Sequence, residues 1–167
     1  MDRRPGLRYQ AGMPETRLQS WSPTQERLAS PLMRLMTVAN VWVYRLTGGR
    51  LGGTFLRGAP ICLVTTTGKR SGQPRTVALL YITDGDDLVV VASKGGMSKS
   101  PAWYHNMRAN PGVEVQLGTN TRRMRARRAS DAEKAALWPR LVAMYRDYDD
   151  YQARTTRNIP VMILSPA

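Results

Sequence analysis

Residues 65–75, TTTGKRSGQPR, place three basic side chains, Lys69, Arg70 and Arg75, among several hydroxyls and two glycines. Phosphates and carboxylates are held by such sets, because charged donors supply attraction and glycines expose backbone N–H groups. Ser93-Lys94-Gly95-Gly96 repeats the same chemistry further along the chain. A third group is Tyr145, Tyr148 and Tyr151, whose three-residue spacing reads as one helical face. Phenols there can donate hydrogen bonds or a proton to a substrate oxygen. The plain alternatives are a solvated hairpin tip and aromatic packing with wet hydroxyls.

Other chemistries are excluded by composition. Cys62 is the only cysteine and His105 the only histidine, which leaves no intrachain disulfide, multi-thiolate or multi-histidine metal site, and no Ser-His-Asp arrangement is evident. Cys62 stands in the apolar run Ile61-Cys62-Leu63-Val64 and reads as a small buried hydrophobe; its use fits a reducing, cytoplasmic setting. Neither a phosphate-binding Walker loop nor a dinucleotide GxGxxG fingerprint occurs.

Short strands must position these groups. Alternation predicts strands over 61–66 and 75–82, joined by the cationic tip, then over 88–92 after the Asp84-Gly85-Asp86-Asp87 turn, and over 113–117, 122–129 and 159–164. Ser100-Pro101 reads as the N-cap and first position of a helix running through Trp103 and Tyr104, whose start would face the same anion site. Ser130-Asp131-Ala132-Glu133 is a capping box for another. Arg123, Arg125 and Arg127 share one strand face, which reads as an exposed strand defended by charge. Residues 1–30 read as a flexible arm without the apolar core of a signal peptide. Residues 31–46 form an amphipathic helix that packs on the core, closes a pocket or lies on an anionic membrane. Residues 31–167 then make one domain, an α+β fold with a small, mainly antiparallel barrel and peripheral helices.

With 25 Lys and Arg against 12 Asp and Glu, the 167-residue chain carries a formal charge of +13. From Arg27 to Thr83 eight basic residues occur without one acidic residue. That region projects a positive field suited to nucleic acid, anionic lipid or a polyanionic small molecule.

Taken together and in order, TTTGKRSGQPR, Leu79-Leu80-Tyr81, ASKGG, SPAWYHNMRANP, LWPRLVAMYRDYDDYQ and TRNIPVMIL resemble the deazaflavin-dependent nitroreductase family of actinobacteria. The resemblance implies a split β-barrel (FMN-binding-like) oxidoreductase that transfers a hydride from reduced coenzyme F420 to an apolar acceptor such as a quinone, enone or nitroaromatic. It further implies that Lys69, Arg70, Ser71 and Arg75 hold the phosphate and oligoglutamate tail. Thr76, Val77, Ala78, Leu79 and Leu80, with Val91, Ala92, Ser93 and Lys94, would line the deazaflavin, and Ala102, Trp103, Tyr104, His105 and Asn106 would face it. Ser93, Tyr145 and Tyr148 would be catalytic, Tyr148 also near the cofactor, and Tyr145, Tyr148 and Tyr151 would line the substrate pocket. The family pattern has tyrosine where this chain has Leu80, the aromatic being displaced to Tyr81. That departure bears on nitroimidazole activation more than on cofactor binding.

A small-molecule acceptor is therefore the expected partner, with an anionic membrane surface reached through the 31–46 helix at the inner face of the membrane. A sister barrel using FMN or haem, or a basic nucleic-acid-binding protein built on residues 122–128, are the rival readings; the acidic surroundings of the tyrosines disfavour nucleic acid there.

Overall fold

The computed structural model of the protein describes residues 20–167, so residues 1–19 of the expected arm lie outside the described residues. Helix α1 (Pro23–Thr47) starts at a capping box: the Ser22 hydroxyl accepts from Gln25 N at 3.2 Å and Gln25 Oε1 accepts from Ser22 N at 2.9 Å. It begins at Pro23 rather than at residue 31, because that cap and the proline at the first turn outweigh the backbone bond forfeited at Pro31 inside the helix. Gly48, at φ 58°, turns left-handed and ends it.

Six strands follow: β1 (Ile61–Thr67), β2 (Pro74–Asp84), β3 (Asp87–Val91), β4 (Gly112–Leu117), β5 (Asn120–Arg128) and β6 (Val161–Pro166). Every neighbouring pair is antiparallel and the order β1-β2-β3-β6-β5-β4 closes on itself, so the expected barrel is what the chain forms. β5 pairs with both β4 and β6. Its arginine comb therefore does not defend an open edge; Met124 and Ala126 point inward because the closed barrel buries alternate residues, and the arginines take the outer face.

Inside the barrel, Cys62, Val64, Leu88, Val90, Val115, Met124 and Leu164 interlock, and helix α2 (Ala102–Ala109) plugs one end with Trp103, Tyr104 and Met107. Burial pushes the Cys62 thiol up to about 12, as befits a core side chain. Helices α3 (Asp131–Met144) and α4 (Asp147–Ala153), with Tyr145 between them, cover the outer face of β3 and β6 through Leu137, Leu141, Tyr145 and Tyr148 against Val89, Val91 and Ile163. β3 is thus buried on both sides, which explains its unbroken apolar run. Over β1 and β2, α1 packs Val41 and Tyr44 on Ile61 and Leu63.

Two local expectations are corrected. Ser100 is not the cap of α2: Pro101, extended at φ −66° and ψ 155°, precedes the helix, and the Ser100 hydroxyl accepts from Arg157 Nη1 at 3.4 Å. The three tyrosines do not ride one helix either, since Tyr145 is extended at φ −147° and ψ 94° between α3 and α4. Asp147, Asp149 and Asp150 favour a fresh helix N-terminus there, where acidic side chains complement the dipole.

Candidate active site

β2 changes partners along its length. Residues Pro74 to Leu80 pair with β1, whereas Tyr81 to Asp84 pair with β3. The register that sets Tyr81 against Val90 carries Val91 and Ala92 toward the level of Leu80 and Leu79, where the two strands part. This parting is the split in the barrel. On its outer side Ala78 and Leu80 pack under α1, and Leu80 packs also with the tyrosine cluster, so Leu80 forms the floor shared by both helical walls. Val91 joins that outer side, whereas Val77, Leu79, Tyr81 and Ala92 belong to the barrel interior. The aromatic at Tyr81 therefore lies on the opposite face from Leu80 and does not replace a tyrosine there.

At one end of the split stands the cationic tip, with Lys69, Arg70, Ser71 and Arg75 all exposed. Its base is fixed by buried Asn106, whose Nδ2 donates to Thr66 Oγ1 at 3.1 Å and whose Oδ1 accepts from Lys69 N at 3.0 Å. Gly68 N and Gly72 N close the turn on Gln73 O and Gly68 O, each at 2.8 Å. A Cβ at Gly68 would come within 2.6 Å of Ser71 Oγ and 3.1 Å of Gln73 O, so a side chain there would displace the serine hydroxyl and crowd the turn. Beside the tip, Arg45 of α1 donates to Thr76 Oγ1 at 3.0 Å, and Thr76 pairs with Thr65 at 2.8 Å. The ion pairs among the described residues, Arg127 with Glu133 and Arg140 with Asp84, involve none of these cations.

The Ser93-to-Gly96 turn forms a second wall. Lys94, Gly95 and Gly96 all have positive φ, at 48°, 64° and 77°. A Cβ on Gly96 would meet Tyr151 O at 2.6 Å, so the turn sits tightly on α4. Just ahead of α1, Trp21 Nε1 donates to Gly95 O at 2.8 Å, and within α1 Glu26 accepts from Ser98 N at 2.6 Å and from Ser98 Oγ at 2.9 Å. Those bonds, the backbone one foremost, hold the Glu26 carboxyl below its ordinary range. From the lead into β6, Arg157 donates to Ala92 O at 3.2 Å and Met97 O at 2.8 Å, and also to Ser93 O.

The far wall is aromatic. Tyr145 and Tyr148 stack edge to face with centroids 5.2 Å apart, Tyr145 Oη and Tyr151 Oη lie 3.1 Å apart, and Phe55 stands 6.0 Å from Tyr145. Burial, first of all, pushes the Tyr145 phenol well above its ordinary value, with the Tyr151 hydrogen bond adding to it; burial does the same to Tyr148. Both therefore remain protonated donors at neutral pH.

The structure thus brings Thr76, Ala78, Leu80, Val91 and the tyrosine trio to one side of the barrel. It divides the expected α2 wall: Trp103 and Tyr104 are buried in the barrel plug, Ala102 and His105 are exposed, and Asn106 clamps the hairpin. Arg45, Trp21, Glu26, Phe55 and Arg157 were not singled out from sequence. Of these, Arg45 carried a signal, as one of two charges in the 31–46 span. No three His, Cys, Asp or Glu side chains among the described residues could hold a metal.

An apolar floor between a cationic tip and a wall of protonated phenols has the chemistry to take a flat ring with an anionic arm. The profile of the F420H(2)-dependent quinone reductase family matches residues 36–166. The chain is similar to F420H(2)-dependent quinone reductase Rv1261c of Mycobacterium tuberculosis, 42% identical over 126 residues (74% of this chain, 85% of that protein), and to Rv3178 of the same organism, 44% identical over 117 residues (70% and 98%). Among solved structures it is similar to an F420-H2 dependent reductase, FDR-A, at TM-score 0.59 and 42% identity, covering 64% of this chain and 94% of that one. A solved structure described as a domain-swapped dimer is similar at TM-score 0.62 and 36% identity, covering 86% and 100%. The chain belongs to the F420H(2)-dependent quinone reductase family. It is an F420-dependent oxidoreductase on a split barrel, as the sequence resemblance implied.

Proposed function

We propose that the chain reduces an apolar quinone at the split, with reduced F420 lying along β2. The observation that carries this reading is the position of Leu80, floor to both α1 and the tyrosine cluster, at the one place where β2 changes partners. Reduced F420 supplies a hydride, and the quinone takes up that hydride with a proton to become the hydroquinone. Lys69, Arg70, Ser71 and Arg75, with Arg45 beside them, hold the phosphate and the acidic tail, each exposed contact adding modest attraction that accumulates. Thr76, Ala78, Leu80 and Val91 support the ring, and Ser93 and Lys94 flank it. Tyr145, Tyr148 and Tyr151 enclose the acceptor, and a phenol of this trio, or water passing it, delivers the proton to the acceptor oxygen. Packing the acceptor against Phe55 and Leu80 excludes bulk water.

No helix among the described residues is long and apolar enough to cross a membrane. α1 nevertheless exposes Leu28, Leu35, Trp42 and Leu46 by 74%, 66%, 65% and 77%, on one stripe at near-heptad spacing. Arg27 on the same helix and Arg50 just past its end are exposed as well. This face rests on an anionic bilayer at its inner surface, where apolar quinones partition.

Rapid mixing of the protein with reduced F420 and a panel of quinones, enones and nitroaromatics tests the reading. Quinones should oxidise the deazaflavin fastest; a protein that turned over only nitroaromatics would displace it.

A further inference from the structure

Arg157 is half-buried and directs its guanidinium at one stretch of chain. Nε donates to Met97 O at 2.8 Å, Nη1 to Ala92 O at 3.2 Å and to Ser100 Oγ at 3.4 Å, and Nη2 to Ser93 O. No carboxylate pairs with it directly: the ion pairs among the described residues lie elsewhere, and Glu26 acts on it only through its longer-range field. A guanidinium stays charged at any working pH, and holding one in a partly desolvated place is costly unless its donors are used.

The direction of those bonds fixes the direction of others. Ala92 N donates to Pro160 O and Ala92 O accepts from Arg157, so both main-chain groups of Ala92 face the β6 side. In a trans peptide C=O and N–H are antiparallel. The N–H of Ser93 therefore points to the other side, toward β2 and the split. Ser93 then turns to φ −70° and ψ −46° and Lys94 to φ 48°, and the Ser93 carbonyl is again taken by Arg157. The Lys94 N–H is thereby turned away from Arg157 as well. A right-handed residue followed by left-handed ones is the backbone arrangement that converges successive N–H groups on an acceptor. Arg157 acts here as a substitute strand, continuing the β6 edge beyond the point where β6 begins.

We propose that Arg157 is a positioning residue for the cofactor ring: by holding the carbonyls of Ala92 and Ser93, it presents the Ser93 and Lys94 N–H groups to an acceptor edge of the deazaflavin. The inference rests on the F420 reading. It assigns Arg157 no contact with the cofactor and a role separate from that of the tail-binding cations.

Fluorescence titration with F420 on wild type, R157K, R157M and S100A, with thermal melts as a folding control, tests it. R157M and R157K should both raise Kd, R157M by about tenfold or more, since N–H groups lose their aim. R157K keeps the charge without the fork that engages several carbonyls. The slope of log Kd against log salt should match wild type in both, because the tip cations are intact. S100A removes an acceptor that is not a main-chain carbonyl and should bind like wild type. Wild-type affinity in folded R157K would mean that charge alone suffices and would overturn the proposal. Should R157M fail to fold, hydrogen exchange on wild type decides: saturating F420 should slow the Ser93 and Lys94 amides, and unchanged exchange there contradicts the assignment. A wild-type protein that bound no F420 would remove the functional reading itself, whereas binding by wild type and both Arg157 variants alike removes only this inference.

Discussion

Asn106, inside the helix that plugs the barrel, accepts from the backbone N–H of Lys69 at 3.0 Å and donates to Thr66 at 3.1 Å. This buried amide ties the cationic tip to the barrel core, so tip geometry depends on the core as well as on the tip's own turn bonds. N106A should cost about 1–3 kcal/mol in urea unfolding, the penalty of stranding buried partners. It should also weaken F420 binding although Lys69 and Arg75 remain. Native affinity in a destabilised but folded N106A would separate the tip from its anchor.

Leu80 and Tyr81 point to opposite faces of β2, one to the split and one into the barrel. L80Y places a phenol on the site side and should shift the ratio of kcat/KM values between quinone and nitroaromatic acceptors. Y81L alters the interior and should lower Tm with less effect on that ratio. Equal changes in selectivity from the two variants would contradict the assigned faces.

Stability should fall at alkaline pH through Tyr148. Its folded pKa is raised by burial above the ordinary value of about 10. Below about pH 10 the phenol is protonated in both states and contributes no pH dependence; above it the unfolded chain loses the proton first, so the folded state binds more protons and stability drops as pH rises. Y148F should flatten that decline by up to about 1.4 kcal/mol per pH unit in urea titrations run from pH 8 to 11. An unchanged alkaline slope would place Tyr148 in solvent.

The stripe on α1 predicts vesicle binding. Wild type should float with anionic liposomes and not with neutral ones, and L35E with L46E should abolish flotation while turnover of a water-soluble quinone persists. Equal flotation of the double variant would assign the stripe another role.

The barrel was legible in the sequence because period-two alternation marks one buried face, as in Val113, Glu114 and Val115 of β4, and because Gly85 punctuates the turn after β2. Which side of β2 faces the split was not, since Val77, Ala78, Leu79 and Leu80 are all apolar and the alternation carries no sign. The break at Tyr145 was hidden for a related reason: the three-residue spacing fits a helix, and only the acidic start of α4 argues against continuity. Arg157 and Asn106 act on residues 57 to 65 and 37 to 40 positions away. Bonds across such separations leave no local period: Asn106 was reached only through the family resemblance, and as a wall residue rather than a clamp, and Arg157 was not singled out at all.

The hairpin tip is the proposed holder of the acidic cofactor arm. F420 binding should be measured by fluorescence for wild type and for K69A with R75A across a salt series. Wild type should bind with a Kd that rises with salt, and the double variant should bind at least about tenfold more weakly at low salt with a shallower salt slope. Unchanged affinity and slope in the double variant would contradict that role.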